Sequence, residues 1–379
     1  MKTLYLHIGM PKTGTTYMQN FLSKNNDVLK KQGFIYPDFG IRFKNIGGNR
    51  NGHFLVSVIR DEEGNRSKEK EREVENECYA KIFALFEKYS NVILSEEQIW
   101  SLAEGRRNRK FWDNLLHRLE EKNIHLKLVV YLRRQDLFIQ SSWAQQVKDR
   151  DLYISLQEYI ESKGFTKKKL DYYERLNVIA EHVGKENIII RVYEKSQYKG
   201  KKQTIISDFF HVLGIDYTEE FEDFVKHTNS SLSGIYLETK RELNKIEGLN
   251  QTKSFVSDLL KKVAENNDDV KSISSNEFWT YEENAAFYNR YARSNEAVAR
   301  EYLGREDGKL FVEDFVKNDA SRKPYEVSDY VEVLAQMLLL QNERIEKLRG
   351  DIRDLKTLKK GVAFLPQRAA RKIKRAFSK

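Results

Sequence analysis

The chain has 379 residues, of which 40% are hydrophobic and 12% aromatic, with 20 tyrosines and 21 phenylalanines. This composition is typical of a folded protein with a sizeable core and excludes an intrinsically disordered chain. The formal net charge is +9, but eight basic and no acidic residues lie between residues 359 and 379. The body of the protein is therefore close to neutral.

The cysteine content and the N-terminus bear on the compartment. A single cysteine, Cys78, excludes an intrachain disulfide framework and is typical of a reducing compartment. The apolar run at the N-terminus is too short for a signal peptide and is better explained as a first strand. No apolar stretch approaches the length that spans a bilayer. The sequence therefore predicts a cytoplasmic protein.

The first element is a strand followed by a loop and a helix. The run "TLYLHIG" is apolar and ends just before a proline, as a short buried strand does. Between Thr15 and Lys24 the apolar residues have the one-sided spacing of a helix. These residues are Tyr17, Met18, Phe21 and Leu22. The loop between them is the stretch "GMPKTG".

Four further apolar runs predict strands along the chain. They are Gly33–Pro37, Asn91–Glu97, His125–Arg134 and Asn187–Glu194. Strands buried on both faces and alternating with helical segments are typical of a parallel α/β sheet. The sequence therefore predicts a P-loop-like central parallel sheet flanked by helices, and a largely helical pattern from residue 204 to 320.

The pattern changes after residue 325. Apolar residues then fall on the a and d positions of a heptad, interrupted by Gln341. They are Leu334, Leu338, Ile345, Leu348, Ile352 and Leu355. A coiled coil of about three heptads that joins two copies of the chain fits this spacing, and so does a long helix packed on its own domain. We predict one domain over residues 1–325, a long helix over 326–358 and a basic tail over 359–379.

The loop after the first strand differs from the phosphate-binding loop of nucleotide hydrolases. Gly9 and Gly14 have the spacing of G-x-x-x-x-G-K-[ST], but Thr15 stands at the lysine position and Lys12 precedes the second glycine. Glycines that allow close approach, together with amides at a helix start, still favour an anion site. A tight strand-to-helix turn without a ligand is the alternative.

The stretch "PKTGTT", followed by an aromatic residue and a glutamine, resembles the 5′-phosphosulfate loop of sulfotransferases that use 3′-phosphoadenosine 5′-phosphosulfate (PAPS). The resemblance implies that the loop binds PAPS, that its lysine contacts the bridging oxygen of the leaving phosphate, and that no metal is required. The residues that match the loop are Pro11, Lys12, Thr13, Gly14, Thr15 and Thr16.

That family has a second signature, an arginine at a strand end with a serine eight residues later, and both bind the 3′-phosphate. Arg133 and Ser141 match it in "YLRRQDLFIQSSW", with Arg134 and Ser142 as adjacent alternatives. An arginine fork and a hydroxyl at a helix start suit a dianionic phosphate.

A looser similarity concerns a later segment. "HTNSSLS" resembles the segment that returns to the cofactor in bacterial polysaccharide-type sulfotransferases. It implies a role for Asn229 and Ser231 at the 3′-phosphate. The "RKG" stretch of the cytosolic small-molecule enzymes is missing.

Two residues are candidates for the base that takes the acceptor's proton. Glu97 follows a buried strand in "ILSEEQ" and matches the Ser-x-Glu of bacterial family members, with Glu96 as second choice. Ser95 with two acids could instead form a helix N-cap. His53, at the start of an apolar helical pattern after a glycine-rich loop, is the other candidate, since cytosolic sulfotransferases use a histidine base. A solvated or core histidine is the alternative interpretation. His7, inside the first strand, is interpreted as a packed residue.

The basic tail places Ala369, Ile373 and Phe377 four residues apart among lysines and arginines. This is the pattern of an amphipathic helix on an anionic membrane. Nucleic-acid binding is the generic competitor for a basic tail, and a solvated terminus is the third interpretation. We favour the membrane and predict no nucleic-acid partner.

Together these features predict a bacterial PAPS-dependent sulfotransferase, cytoplasmic or peripheral on the inner face of the membrane. Its acceptor would be a hydroxyl of a surface glycan or glycolipid precursor. A P-loop nucleotide kinase or hydrolase, which would need ATP and Mg²⁺, is the rival enzyme. A membrane-tethered scaffold that keeps the fold without catalysis is the rival outside enzymes.

Overall fold

The computed structural model describes residues 1–44, 46–102, 108–162, 167–223, 232, 234–249, 253–266, 278–315 and 325–363. The described residues form a five-stranded sheet in the order β2-β3-β1-β4-β5, in which every pair is parallel. The strands are β1 (Lys2–His7), β2 (Phe34–Ile35), β3 (Asn91–Ser95), β4 (Ile124–Leu132) and β5 (Ile188–Val192). Each coincides with a predicted apolar run to within one residue at its start or lies inside it, so the predicted parallel α/β sheet is confirmed.

Fourteen α-helices belong to the described part of the chain. They are α1 (Thr15–Lys24), α2 (Asn26–Lys31), α3 (Lys68–Leu85), α4 (Ile99–Leu102), α5 (Asn108–Glu120), α6 (Gln135–Arg150), α7 (Leu156–Glu161), α8 (Tyr172–Val183), α9 (Ile205–Leu213), α10 (Gly234–Leu243), α11 (Lys253–Asn266), α12 (Tyr281–Asn289), α13 (Ala292–Ala297) and α14 (Val327–Ala363). Short 3-10 helices cover His53–Leu55, Lys167–Leu170, Lys185–Asn187 and Lys195–Gln197, and a π-helix covers Val298–Tyr302.

Both faces of the sheet are covered, and consecutive residues in the middle of its central strands are apolar and buried. On one face Ile93, Val129 and Tyr131 pack against residues of α1 and α9. The alternating residues Leu94 and Val130 are equally buried. Helix α5 contacts β4. Burial on both faces explains why these strands read as continuous apolar runs.

The chain divides into two compact units. The first comprises residues 1–143, 155–229 and 278–320, and it contains the whole sheet. An aromatic cluster supports α1 and α9 within it, with Phe21 stacked on Phe221 at 6.1 Å between ring centroids. This cluster fixes the helix that begins directly after the loop of interest.

The second unit comprises residues 144–154, 230–277 and 321–379. In it α10, α11 and α14 pack on one another. The buried amide of Asn244 donates to the carbonyl oxygens of Val147 and Leu152 at 2.8 and 2.9 Å. Helix α14 confirms the predicted long C-terminal helix. Most of the predicted basic tail, residues 364–379, lies outside the described residues.

Candidate functional site

The candidate site lies at the carboxyl ends of the strands, beside the central strand β1. The chain places β2 and β3 on one side of β1 and β4 and β5 on the other, which makes this a topological switch point. β1 lies between β3 and β4, with His7 in register with Ser95 on one side and Val129 on the other. The segments that follow these three strands therefore meet at one edge. In open α/β sheets this is where ligands bind.

The loop after β1 is held against β4 before it turns into α1. The amide of Met10 donates to the carbonyl oxygen of Tyr131 over 3.1 Å, and the amide of Tyr131 donates to the carbonyl oxygen of Gly9 over 2.7 Å. The hydroxyl of Thr13 is buried and donates to the carbonyl oxygen of Met10 over 2.6 Å. This buried hydrogen bond stabilises the conformation of the loop.

Lys12 has an unusual backbone conformation for its residue type. Its φ is 68°, in the left-handed region that L-residues other than glycine, asparagine and aspartate seldom adopt. Such strain is typically found at functional sites, where the surrounding structure maintains it. Gly9 and Gly14 also have positive φ values, 102° and 74°, so the loop needs both glycines.

The start of α1 offers hydrogen-bond donors to an anion. Gly14 is its N-cap, and no side chain within the described residues caps the helix. The first amides of a helix have no partner inside the helix, and its dipole favours negative charge there. Thr15 is buried at this turn, whereas Thr16 is exposed and Pro11 half-buried. A phosphate group suits this position.

Arg133, directly after β4, contacts the loop. Its Nη1 donates to the carbonyl oxygen of Lys12 over 2.7 Å, and its guanidinium lies over the ring of Tyr193 at 5.6 Å. The hydroxyl of Tyr172 donates to the carbonyl oxygen of Arg133 over 2.5 Å. Burial lowers the pKa of Arg133, which indicates a cation placed where a bound anion would be stabilising.

The neighbouring candidate, Arg134, has a structural role instead. It is buried and forms two hydrogen bonds with the carboxylate of Asp136, of 2.8 and 3.0 Å. It also donates to the carbonyl oxygen of Glu313 over 2.9 Å. The guanidinium of Arg134 is thus engaged by groups of the protein itself, so Arg133 is the better candidate for binding a ligand.

The predicted serine positions differ in their surroundings. Ser141 is half-buried in the second turn of α6, not at the helix start, because this helix already begins at Gln135, three residues after β4 ends. The expectation of a hydroxyl at the helix start was therefore wrong. Ser142 lies 3.2 Å from the hydroxyl of Tyr159. Asn229 and Ser231 lie outside the described residues.

An ion-pair cluster follows β3. Glu96 is fully buried and accepts hydrogen bonds from Arg50 Nε at 2.9 Å, His53 Nδ1 at 2.9 Å and the amide of Gln98 at 2.7 Å. Burial opposes ionisation of Glu96, but the hydrogen bonds from His53 and Arg50 outweigh it and lower its pKa. These hydrogen bonds thus favour the carboxylate form of Glu96, which positions its neighbours.

Glu97 stands between this cluster and the loop. A Cβ placed on Gly9 would lie 3.1 Å from the Cβ of Glu97, so the two segments touch. Its carboxylate lies 3.4 Å from Arg50 Nη1, with the side chain 22% exposed. Oε2 of Glu97 is shielded from solvent, and none of the described residues hydrogen-bonds to it. This oxygen can accept a proton.

His53 belongs to the same cluster. The carboxylate of Glu96 accepts from Nδ1, so in the neutral ring Nε2 is left as the proton acceptor. Phe43 packs edge-on against the imidazole, with 4.8 Å between ring centroids. A carboxylate that orients a histidine in this way is a common arrangement for a general base. The structure therefore brings both predicted bases, Glu97 and His53, around Arg50 and Glu96.

Arg50 is the residue that sequence reasoning missed. It lies in "NRNGHF" and contacts Glu96 and Glu97. The neighbouring Asn51 fixes the segment, since its amide donates to the carbonyl oxygen of Ile93 over 3.0 Å and its oxygen accepts from the amide of Ser95 over 2.9 Å. The arginine three residues before His53 was the available signal.

His7 is a packed residue, as interpreted from the sequence. It is buried, with Nδ1 2.9 Å from Ser95 Oγ and the rings of Tyr131 and Phe209 around it. Burial lowers the pKa of His7 to about 4. Gln19, the glutamine after the loop motif, donates to the same Ser95 hydroxyl over 3.1 Å. It therefore ties α1 to β3.

The described residues hold neither a metal-binding cluster nor a membrane-spanning helix. Within those ranges, no group of three or more histidine, cysteine, aspartate or glutamate side chains is arranged to hold a metal ion. No helix in the same ranges is both long and apolar enough to cross a bilayer.

Comparison with known proteins gave few matches. No protein-family model matches the chain. An uncharacterized protein of Archaeoglobus fulgidus is 32% identical over 181 residues, which are 47% of this chain and 46% of that protein. The chain thus matches about half the length of this relative.

Among solved structures, a sulfotransferase from Alicyclobacillus acidocaldarius aligns over 81% of this chain and 97% of its own. The identity is 14% and the TM-score is 0.39. This TM-score is too low to define a common fold, and the function proposed below rests on the residues of the site.

Proposed function

We propose that this protein is a PAPS-dependent sulfotransferase that moves a sulfuryl group to a hydroxyl of a glycan or glycolipid. The observation that carries the proposal is the arrangement around Lys12. Its strained backbone is held by Arg133 on one side, and Glu97 touches the first turn of the loop at Gly9. This arrangement supports an anion site and a proton acceptor at the same edge of the sheet.

The residues fit the donor nucleotide. The loop amides and the uncapped start of α1 would bind its 5′-phosphosulfate, with Lys12 near the bridging oxygen. Arg133 would bind the 3′-phosphate, because a guanidinium matches phosphate geometry. When bound, PAPS supplies the sulfuryl group, which is transferred in line to the acceptor oxygen.

The residues of this chain would then have three roles in the transfer. Lys12 neutralises charge that develops on the leaving phosphate. Either Glu97 Oε2 or His53 Nε2 removes the acceptor's proton. Glu96 and Arg50 hold both candidates in place, since the Glu96 carboxylate contacts His53 and Arg50 contacts Glu97.

The rival enzyme, an ATP-dependent kinase or hydrolase, is disfavoured by the loop itself. The lysine of a nucleotide-hydrolase loop follows the second glycine and reaches the β- and γ-phosphates. Here Lys12 precedes Gly14, and a threonine follows it. The rival scaffold would bind the nucleotide without turnover, or bind nothing.

A thermal-shift experiment distinguishes these functions. We expect 3′,5′-ADP to raise the melting temperature equally with and without Mg²⁺, since phosphate binding uses only protein donors. Stabilisation by ATP with Mg²⁺ alone would favour the kinase. Release of 3′,5′-ADP from PAPS in the presence of glycan or glycolipid acceptors then separates the enzyme from the scaffold.

For location we propose a cytoplasmic protein held at the inner face of the membrane by residues 359–379. The support is the basic amphipathic pattern of the tail. Sedimentation with anionic vesicles should fall sharply when these residues are deleted. Equal sedimentation of the shortened chain would contradict this placement, and binding to an oligonucleotide instead would favour the nucleic-acid interpretation.

A further inference from the structure

Helix α14 carries an apolar stripe that is exposed to solvent and interrupted at Gln341. Its exposed members occupy alternating a and d heptad positions, and Leu338, Leu348 and Leu355 are exposed by 71%, 56% and 64%. The stripe comprises Val331, Leu334, Leu338, Ile345, Leu348, Ile352 and Leu355. A repeat of this kind, sustained over more than three heptads, is the signature of a supercoiled helix pair.

A different face of α14 packs on its own unit. Val333 and Met337, at the c and g positions, are buried, and α14 contacts α10 and α11. From Asn342 to Thr357 every residue except Gly350 is exposed. This projecting part is about 24 Å long. An isolated helix of that length has little stability in water, so a partner along the stripe would stabilise it.

We propose that the partner is a second copy of this chain, paired through α14 as a parallel, in-register, two-stranded coiled coil. The residue types favour this geometry. Ile345 and Ile352 occupy a positions, and Leu348 and Leu355 occupy d positions. β-branched residues at a with leucine at d favour parallel dimers over higher oligomers.

The charges along the stripe agree with self-association. Residues 338–357 contain five basic and four acidic residues, so two copies do not repel each other strongly. In a parallel pair Asp351 at g lies opposite Lys356 at e of the second copy, twice by symmetry. Arg344 at g would face Arg349 at e of the second copy, which is a like-charged pair. Arg349 also forms an ion pair of 2.7 Å with Glu346 in its own helix, which offsets part of this repulsion.

Gln341 supplies a further observation. It occupies the polar d position within the stripe, and none of the described residues accepts a hydrogen bond from its shielded Nε2. In an in-register pair the two Gln341 side chains lie in the same layer. A change of side-chain rotamer then allows the two amides to hydrogen-bond to each other. A buried polar layer of this kind fixes the register of a coiled coil.

Light scattering on the full chain tests the pairing. We expect twice the monomer mass for the unchanged protein and the monomer mass for Leu348→Glu with Ile352→Glu. Leu339→Glu is the matched control, because Leu339 is 65% exposed on α14 but lies outside the stripe, and it should remain a dimer. The proposal would be overturned if the unchanged protein were a monomer or a trimer. It would also be overturned if the double variant remained a dimer.

Disulfide trapping tests the direction. Since the single cysteine, Cys78, is buried, Leu355→Cys introduces the one accessible thiol. In a parallel, in-register pair two such thiols meet, so mild oxidation should give a covalent dimer. Leu339→Cys should not cross-link. A dimer in which Leu355→Cys does not cross-link would contradict the parallel arrangement.

Discussion

Nη1 of Arg133 donates a hydrogen bond to the carbonyl oxygen of Lys12 over 2.7 Å. This bond joins the end of β4 to the loop after β1, although 121 residues separate the two in sequence. It contacts the peptide of Lys12, whose backbone is in the left-handed conformation.

Replacing the loop lysine should affect transfer more than binding. For Lys12→Ala we expect 3′,5′-ADP affinity within roughly 10-fold of the original, because most phosphate donors are backbone amides. Turnover of PAPS should fall by about 10²–10³-fold, since charge on the leaving phosphate is no longer neutralised. Calorimetry and 3′,5′-ADP release measure the two effects. Lys24→Ala, at the other end of α1, is the control, and unchanged turnover of Lys12→Ala would remove Lys12 from the mechanism.

The two adjacent arginines should behave differently. Arg133→Ala should weaken binding of 3′,5′-ADP by about 10–100-fold, as expected for a lost charge-assisted contact to phosphate. Arg134→Ala should instead cost about 3 kcal/mol of folding free energy, because it leaves the buried carboxylate of Asp136 without its guanidinium. Calorimetry and urea unfolding separate these effects. The roles would be reversed if Arg134→Ala lost affinity while Arg133→Ala did not.

The two candidate bases require a direct comparison. Glu97→Gln removes the proton acceptor but keeps the side-chain shape, and His53→Ala removes the imidazole that Glu96 orients. Loss of the base should lower turnover by about 10²–10⁴-fold with little change in 3′,5′-ADP affinity. The measurement is PAPS turnover at saturating donor, with melting temperature as the control for folding. Whichever variant keeps full activity loses its candidacy.

The buried histidine behind the loop should make stability depend on pH. The pKa of His7 is lowered by burial from 6.5 to about 4. The unfolded chain therefore binds a proton between these values while the folded chain does not, so stability is complete above pH 6.5 and falls as the pH drops toward 4. The loss by pH 4 is about 3 kcal/mol.

The check is urea unfolding of the original protein and of His7→Asn across this pH range. The substitution removes the titrating group, so its folding free energy should change less with pH, whatever its absolute value. Parallel pH curves for the two proteins would show that His7 does not titrate in this way.

The strands could be predicted from the sequence because a sheet covered on both faces favours apolar residues at consecutive strand positions. The loop could also be predicted, since its glycines and lysine stand at fixed spacing between a strand and a helix. The left-handed conformation of Lys12 could not, because Arg133, which donates to its carbonyl oxygen, lies far along the chain.

Three features of the site depended on tertiary structure. Arg50 is a surface-type residue in sequence, and only the fold places it beside the buried Glu96. The helix position of Ser141 was misjudged because α6 begins three residues after β4 ends, without a loop. The choice between Arg133 and Arg134 likewise required the contact of Arg134 with Asp136.

Calorimetric titration of 3′,5′-ADP against 5′-AMP, in the presence of a metal chelator, tests the central claim most directly. The two nucleotides differ only in the 3′-phosphate that Arg133 would bind. We predict binding of 3′,5′-ADP at least about 100-fold tighter than that of 5′-AMP, as expected for a charge-assisted phosphate contact. Equal affinity for the two nucleotides, or binding that appears only with ATP and Mg²⁺, would contradict a PAPS site.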